Sequence, residues 1–160
     1  MTLLMHVLLG SIPAPRSGSN YPSTMSDSTN SSPTPAGTKR GPAEYFSGTA
    51  WVTMLAGGNP TDCTVADVTF EPGCRNNWHS HPAGQILVVT AGRGFYQEKG
   101  QPAQLLRVGD TVSIAPGVVH WHGAAADSIF THLAINPNVK QGVSDWLQPV
   151  TDEEYRSAHG

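Results

Sequence analysis

The sequence predicts an all-β fold, an antiparallel sandwich or barrel with helix confined to the C-terminal end. Two observations predict it. Short strand-like stretches follow one another from Trp51 to Ile135, and clusters of Gly, Pro, Asn and Asp punctuate them where helices would otherwise intervene. Trp51–Leu55 comes first and is closed by Gly57-Gly58-Asn59-Pro60. Thr64–Phe70 follows, with Ala66, Val68 and Phe70 on one face, and turns at Glu71-Pro72-Gly73. Arg75–His81 leads into His81-Pro82-Ala83-Gly84, and Gln85–Ala91 into Ala91-Gly92-Arg93-Gly94. The Gly92-x-Gly94 pair is a weak likeness of a phosphate loop; a hairpin turn into Gly94–Lys99 is the stronger reading. Gly100-Gln101-Pro102 separates that strand from Gln104–Val108, and Gly109-Asp110 separates the latter from Thr111–Ala115. Pro116-Gly117 precedes Val119–Ala124, and Ile129–Ile135 completes the series. Thr151 with Glu154 three residues on forms a capping box, which predicts a short C-terminal helix.

The folded region is expected over residues 43–158, as a single domain. Residues 1–42 read as a leader, because 11–42 consist mostly of Ser, Pro, Thr, Gly and Asn and hold too little apolar surface to offset the entropy of ordering them. The apolar stretch Met1–Gly10 is far shorter than the ~20 residues of a membrane span. No Lys or Arg precedes it and no Ala-x-Ala site follows, so an upstream start with Met25 as an alternative initiator, and a cytoplasmic protein, are the readings preferred to an export signal. A net charge of −3 without a basic stripe disfavours nucleic acid and anionic membrane surfaces as partners. Cys63 and Cys74 fit a disulfide and two free thiols equally well.

Histidines carry the functional signal. Five of the seven are gathered as His79-Ser80-His81, His120-Trp121-His122 and His132. A strand has a side-chain period of two, so both imidazoles of a His-x-His pair leave the same face. Several imidazoles on one face are how a strand-built site for a first-row divalent ion looks. The alternating Trp78 and Trp121 are thereby directed away from that face, to packing or to a subunit interface.

These residues also carry a family resemblance. Gly73-x5-His79-x-His81-x3-Gln85-x6-Gly92 resembles the first conserved motif of the cupins, with Gln where most members have Glu. Gly109-x5-Ala115-x-Gly117-x2-His120 resembles the second, with Ala115 in the usual Pro place and Ala124 where the motif often ends in Asn. The resemblance implies a double-stranded β-helix, or jelly-roll barrel, assembled as a homodimer or homotetramer. It also implies His79, His81, Gln85 and His120 as metal ligands. Glu44-Tyr-Phe, Val68-Thr-Phe-Glu-Pro-Gly73, His120-Trp-His-Gly-Ala124, Thr131-His-Leu-Ala-Ile135 and Val150-Thr-Asp-Glu-Glu-Tyr155 extend the likeness to a bacterial subgroup. This subgroup comprises the manganese-dependent cupin hydroxynitrile lyases and carboxymuconolactone-decarboxylase-like neighbours. By that likeness the metal is Mn(II), with Fe(II), Ni(II), Co(II) or Zn(II) open, and His132 is the general base.

The chemistry agrees with that expectation. A neutral Gln amide in place of a carboxylate leaves the charge of a divalent ion uncompensated, which strengthens it as a Lewis acid toward a hydroxyl or carbonyl oxygen. A spare imidazole beside it can move a proton near neutral pH. Parity places Phe130 and Asn136 on the face of His132, the resemblance places Ala66 and Val68 toward the substrate, and Asn76 is the further residue expected in the pocket wall. His122 shares the face of His120 and is either a fifth ligand, a group behind the ligands, or a rim residue. Walls this small and apolar fit a small neutral substrate. Reversible cleavage of 2-hydroxynitriles is the preferred function. A metal-dependent cupin dioxygenase and a non-catalytic small-molecule-binding cupin are the alternatives.

Overall fold

The computed structural model describes residues 36–57 and 60–159. Most of the expected leader, including Met25, lies outside that range. Twelve strands form: β1 (Lys39–Arg40), β2 (Phe46–Ser47), β3 (Ala50–Ala56), β4 (Cys63–Phe70), β5 (Arg75–Asn76), β6 (His79–Ser80), β7 (Gln85–Glu98), β8 (Gln104–Arg107), β9 (Thr111–Ile114), β10 (His120–Ala124), β11 (Phe130–Pro137) and β12 (Asp145–Trp146). A short 3-10 turn at Val139–Gln141 precedes β12, and one helix, α1 (Asp152–Ser157), follows it. Among the described residues no helix is long and apolar enough to cross a membrane. All strand pairs are antiparallel, so the all-β expectation holds. Lys39–Arg40, placed by composition in the leader, pair with Val52 and Trp51.

The 14 residues of β7 join the two sheets of the barrel. The first half of β7 pairs with β9 and β11, and its second half with β8 and β10. The hairpin expected at Ala91–Gly94 is therefore corrected: the chain bends there and continues as one strand. Two features make the bend. Thr131 faces Ala91 while His132 faces Val89, so Thr90 is the extra residue of a bulge. Gly92 then adopts φ 67, where a Cβ would lie 1.9 Å from the Ile129 carbonyl oxygen. Only glycine allows the backbone so close.

Alternation in β4 and its neighbours fills the barrel with Ala50, Ala66, Val68, Phe70, Leu87, Val89 and Phe130. A second apolar cluster lies against the opposite side of the β10 sheet, where Trp78, Phe95 and Trp121 meet Val150 and Tyr155 at α1. The two tryptophans thus face away from the histidines, as parity requires, and pack within the chain. The capping box of α1 forms in full: Glu154 N–H donates to Thr151 Oγ1 at 3.1 Å and Thr151 N–H to Glu154 Oε2 at 2.8 Å. Tyr155 O–H donates to the Ala124 carbonyl at 2.7 Å, and Arg75 Nε donates to the Val150 carbonyl. Arg75 therefore belongs to the helix side and not to the histidine face. Both cysteines are free thiols; burial pushes that of Cys74 up to about 12, which leaves it unreactive at neutral pH.

Gly94 gives a direct test of how tightly the bend is packed. An added Cβ would lie 2.3 Å from the Gly123 carbonyl oxygen and 2.5 Å from the Phe130 ring. Gly94→Ala is expected to destabilise the protein by about 3 kcal/mol, the upper range for forced overpacking. Urea unfolding measures it, and a loss under about 1 kcal/mol would mean that β10 and Phe130 move aside freely.

Candidate metal centre

The expected strand Arg75–His81 breaks into β5 and β6, with Asn77 and Trp78 between them. The break resets the parity, so Asn76 and His79, an odd number of residues apart, both line the same cavity. β10 runs antiparallel to β6, with His120 opposite His79. The two His-x-His pairs thereby meet. Ring centroids are 4.2 Å apart for His79–His120, 5.0 Å for His79–His81 and 5.5 Å for His81–His120.

Backbone carbonyls orient these three rings. His79 Nδ1 donates to the Asn77 carbonyl and His120 Nδ1 to the Val118 carbonyl, each at 2.9 Å. His81 Nδ1 donates to the Val143 carbonyl. With the proton on Nδ1, the lone pair of each ring sits on Nε2, and the buried Nε2 of His81 has no protein partner. Gln85, at the start of β7, places Oε1 3.4 Å from His120 Nε2. Imidazole lone pairs held by carbonyls behind them are the arrangement found around bound transition metals, so these donors fit a divalent ion.

Among the described residues, the ring nitrogens that lie within 4.8 Å of one another and could hold a metal ion are those of His79, His120 and His122; the expected ligand His81 is outside that grouping. Hydrogen bonding distinguishes His122 from the other two. Asn76 Oδ1 accepts the His122 backbone N–H at 2.9 Å, which turns the Asn76 amide so that Nδ2 donates to His122 Nε2 at 3.0 Å. One nitrogen of His122 is thus taken, and Nδ1 is left buried without a partner. His81, with Nε2 free, is the better third donor.

His132 lies at the middle of β11, paired with Val68 and Val89, and is fully buried. Its ring stacks on Phe70 and Phe130 and meets His122 edge-on at 4.8 Å. Neither of its ring nitrogens has a partner in the protein. Burial disfavours a charged imidazole. It pushes His120 down to about 4 and His132 down to about 3, and it holds His79 and His122 well below the usual histidine range. His81 is lowered by the same cause. All five rings are therefore neutral at pH 7.

A cavity of about 140 Å³ opens onto His79, His81, Gln85, His122 and His132, while His120 is not among its lining residues. At roughly 30 Å³ per water it has room for about five water molecules, which suits a small substrate. Of the expected wall, Ala66, Val68, Asn76 and Asn136 line it. Phe130 does not. It is fully buried, stacked parallel to Phe70 and packed against Gly94. Phe46, Val52, Ser144 and Trp146 line the cavity without having been expected. Val52 lies opposite Val68 and was accessible from alternation. Trp146 gave no signal, because it sits on a two-residue strand; it pairs with His79, covers its ring at 4.7 Å and stacks on Tyr45 at 4.5 Å. No Asp, Glu, Lys or Arg is among the lining residues.

Comparison with known proteins agrees with this architecture. Residues 66–136 match the family model described as "Cupin domain". A protein from Granulicella tundricola named (R)-mandelonitrile lyase is 46% identical over 118 residues, covering 73% of this chain and 90% of its own. A crystal structure of a cupin-like protein from Thermotoga maritima superposes with a TM-score of 0.73 at 52% identity, covering 74% of this chain and 91% of that one. A DMSP lyase from Ruegeria pomeroyi shares the fold at a TM-score of 0.56 and 21% identity, over 68% of this chain and 55% of that chain. From the barrel, its histidine-lined cavity and these relatives together, the chain belongs to the cupin family.

Proposed function

We propose that the protein is a metal-dependent lyase that reversibly cleaves small 2-hydroxynitriles to an aldehyde or ketone and hydrogen cyanide. The observation that carries this reading is His132: a fully buried imidazole on the cavity wall, beside the metal donors, with both ring nitrogens unpartnered. Such a group costs roughly 1–3 kcal/mol to leave unsatisfied, so its retention calls for a task. The (R)-mandelonitrile lyase relative, at 46% identity, supports the reaction class.

Nε2 of His79, His81 and His120 and Oε1 of Gln85 would hold the ion, with Mn(II) our preferred metal. Bound there, it would supply a Lewis acid for the substrate's hydroxyl oxygen, undiminished by any carboxylate ligand. His132 accepts the hydroxyl proton on a ring nitrogen. The O–H electron pair becomes the second bond of the carbonyl, and the C–C bond breaks with its pair leaving on cyanide. His132 then returns the proton to cyanide, which departs as hydrogen cyanide. Burial keeps the imidazole uncharged before the reaction. With its pKa at about 3 it is a weaker base than the near-neutral histidine expected from the sequence, so the transfer relies on a hydroxyl acidified by the ion that the site would hold. Val52, Ala66, Val68 and Phe70 offer the organic substituent an apolar wall. The absence of Lys and Arg from the lining fits a neutral substrate.

His132→Ala is expected to bind Mn(II) as the parent does and to lose about 10²–10⁴-fold in mandelonitrile cleavage, the usual worth of a positioned base. Benzaldehyde absorbance and elemental analysis read the two quantities, and undiminished turnover would remove His132 from the mechanism.

The buried imidazoles also set an acid limit. Unfolded, each has a pKa near 6.5; folded, His120 lies at about 4 and His132 at about 3. Between those values the unfolded chain binds more protons, so stability is complete above pH ~6.5 and declines as pH falls, by up to about 1.4 kcal/mol per pH unit for each such histidine. Melting temperatures of EDTA-treated protein are expected to be level from pH 7 to 8 and to fall steadily from pH 6.5 to 4.5, less steeply in His132→Ala. A flat profile down to pH 4.5 would contradict neutral burial.

A further inference from the structure

We propose that Asn136 is a positioning residue: through the side-chain relay Thr64–Asn136–Gln85 it holds the Gln85 carbonyl oxygen toward the histidines and so sets how tightly the site binds a divalent ion. The inference rests on the reading of Gln85 as a metal ligand.

A glutamine amide has two ends of nearly equal size and opposite chemistry, since its oxygen can ligate a cation and its nitrogen cannot. Packing alone does not choose between them. Here the inward end is Oε1, 3.4 Å from His120 Nε2. His120 Nδ1 already donates to the Val118 carbonyl, so its Nε2 carries a lone pair. Two acceptors thus face each other, an arrangement that favours a cation between them. Without one, a reversed amide would gain a hydrogen bond by donating N–H to His120. Something behind Gln85 has to oppose that reversal.

The relay does so. Gln85 Nε2 donates to Asn136 Oδ1 at 3.0 Å, and Asn136 Nδ2 donates to Thr64 Oγ1 at 3.2 Å. Sheet register builds it. Asn136 and Thr64 are partners across β11 and β4, and the pairing of Ile135 with Ile86 brings Gln85 beside Asn136 from β7. Reversing Gln85 alone would set its oxygen against Asn136 Oδ1, two acceptors in contact, and only a concerted turn of the Asn136 amide and the Thr64 hydroxyl would relieve it. Asn136, expected as a wall against substrate, is thereby assigned a second task behind a ligand. Groups in such places commonly change metal affinity about 10–100-fold when removed.

A double-mutant cycle on the full chain tests this, with Mn(II) dissociation constants measured by competition against a fluorescent chelator. N136L is expected to weaken Mn(II) binding by about 10–100-fold in the parent, where the amide becomes free to turn. In a Q85E background the same change is expected to cost little, because a carboxylate presents an oxygen whichever way it turns. Thr64→Val, which trims only the outer bond, should act in the same direction as N136L with a smaller effect, and it keeps the test available should N136L not fold. Equal losses in both backgrounds would reduce Asn136 to a packing role and overturn the inference, as would parent-like affinity in N136L. Mn(II) affinity unchanged in Gln85→Leu would overturn the ligand assignment and this inference together. A loss in Gln85→Leu without one in N136L would overturn only the relay.

Discussion

Taking an imidazole out of water leaves two ring nitrogens that need partners, and the interior of this barrel has five such rings. Three of them solve the problem in one way. Nδ1 is tied to a main-chain carbonyl, of Asn77, Val118 or Val143, and Nε2 is left with the lone pair. Each carbonyl comes from an irregular segment: the break between β5 and β6, the turn before β10, and the stretch before β12. Regular strands spend their carbonyls on the sheet and have none to spare for a side chain. The irregularities are thus what give the histidines a defined tautomer and a common direction.

The remaining architecture keeps those segments in place. β7 crosses from one sheet to the other, carrying Gln85 at one end and the Tyr96 partner of His122 near the other. A hairpin at Ala91–Gly94 would have ended the first sheet there and left β10 without its main neighbour. On the outside, α1 locks the β10 sheet through the Tyr155 O–H bond to the Ala124 carbonyl and the Arg75–Asp152 ion pair, and Arg75 also holds the Val150 carbonyl just ahead of the helix. The helix thereby supports, from behind, the strand that holds His120 and His122.

His122 and His132 follow a different logic from the three oriented rings. Asn76 takes one nitrogen of His122, and nothing in the chain takes either nitrogen of His132. Burial keeps both uncharged, His122 with its edge against Phe70 and His132 stacked on Phe70 and Phe130. Three oriented lone pairs suit a divalent ion, and beside them only His132 keeps an unprotonated ring nitrogen that nothing in the protein engages. The same rings weaken the fold in acid, where each gains by unfolding and charging.

The sequence by itself determined the all-β class, the local faces and the donor types. Those follow from a backbone period of two, which is local: His79 with His81, His120 with His122, and Ala66 with Val68 share faces whatever surrounds them. The α1 capping box was equally local and forms as written. Only the tertiary structure decided where that period is interrupted. The break at Asn77-Trp78 brings Asn76 and His79 to one cavity, the bulge at Thr90 and the close approach at Gly92 turn an expected hairpin into a bend, and Phe130 drops behind the wall it was expected to form. Trp146 reaches the ring of His79 across a gap of many residues. These outcomes depend on which backbone atoms come within contact of one another, such as Gly92 with the Ile129 carbonyl or Gly94 with Phe130. Contacts between distant segments leave no periodic trace in the chain that makes them.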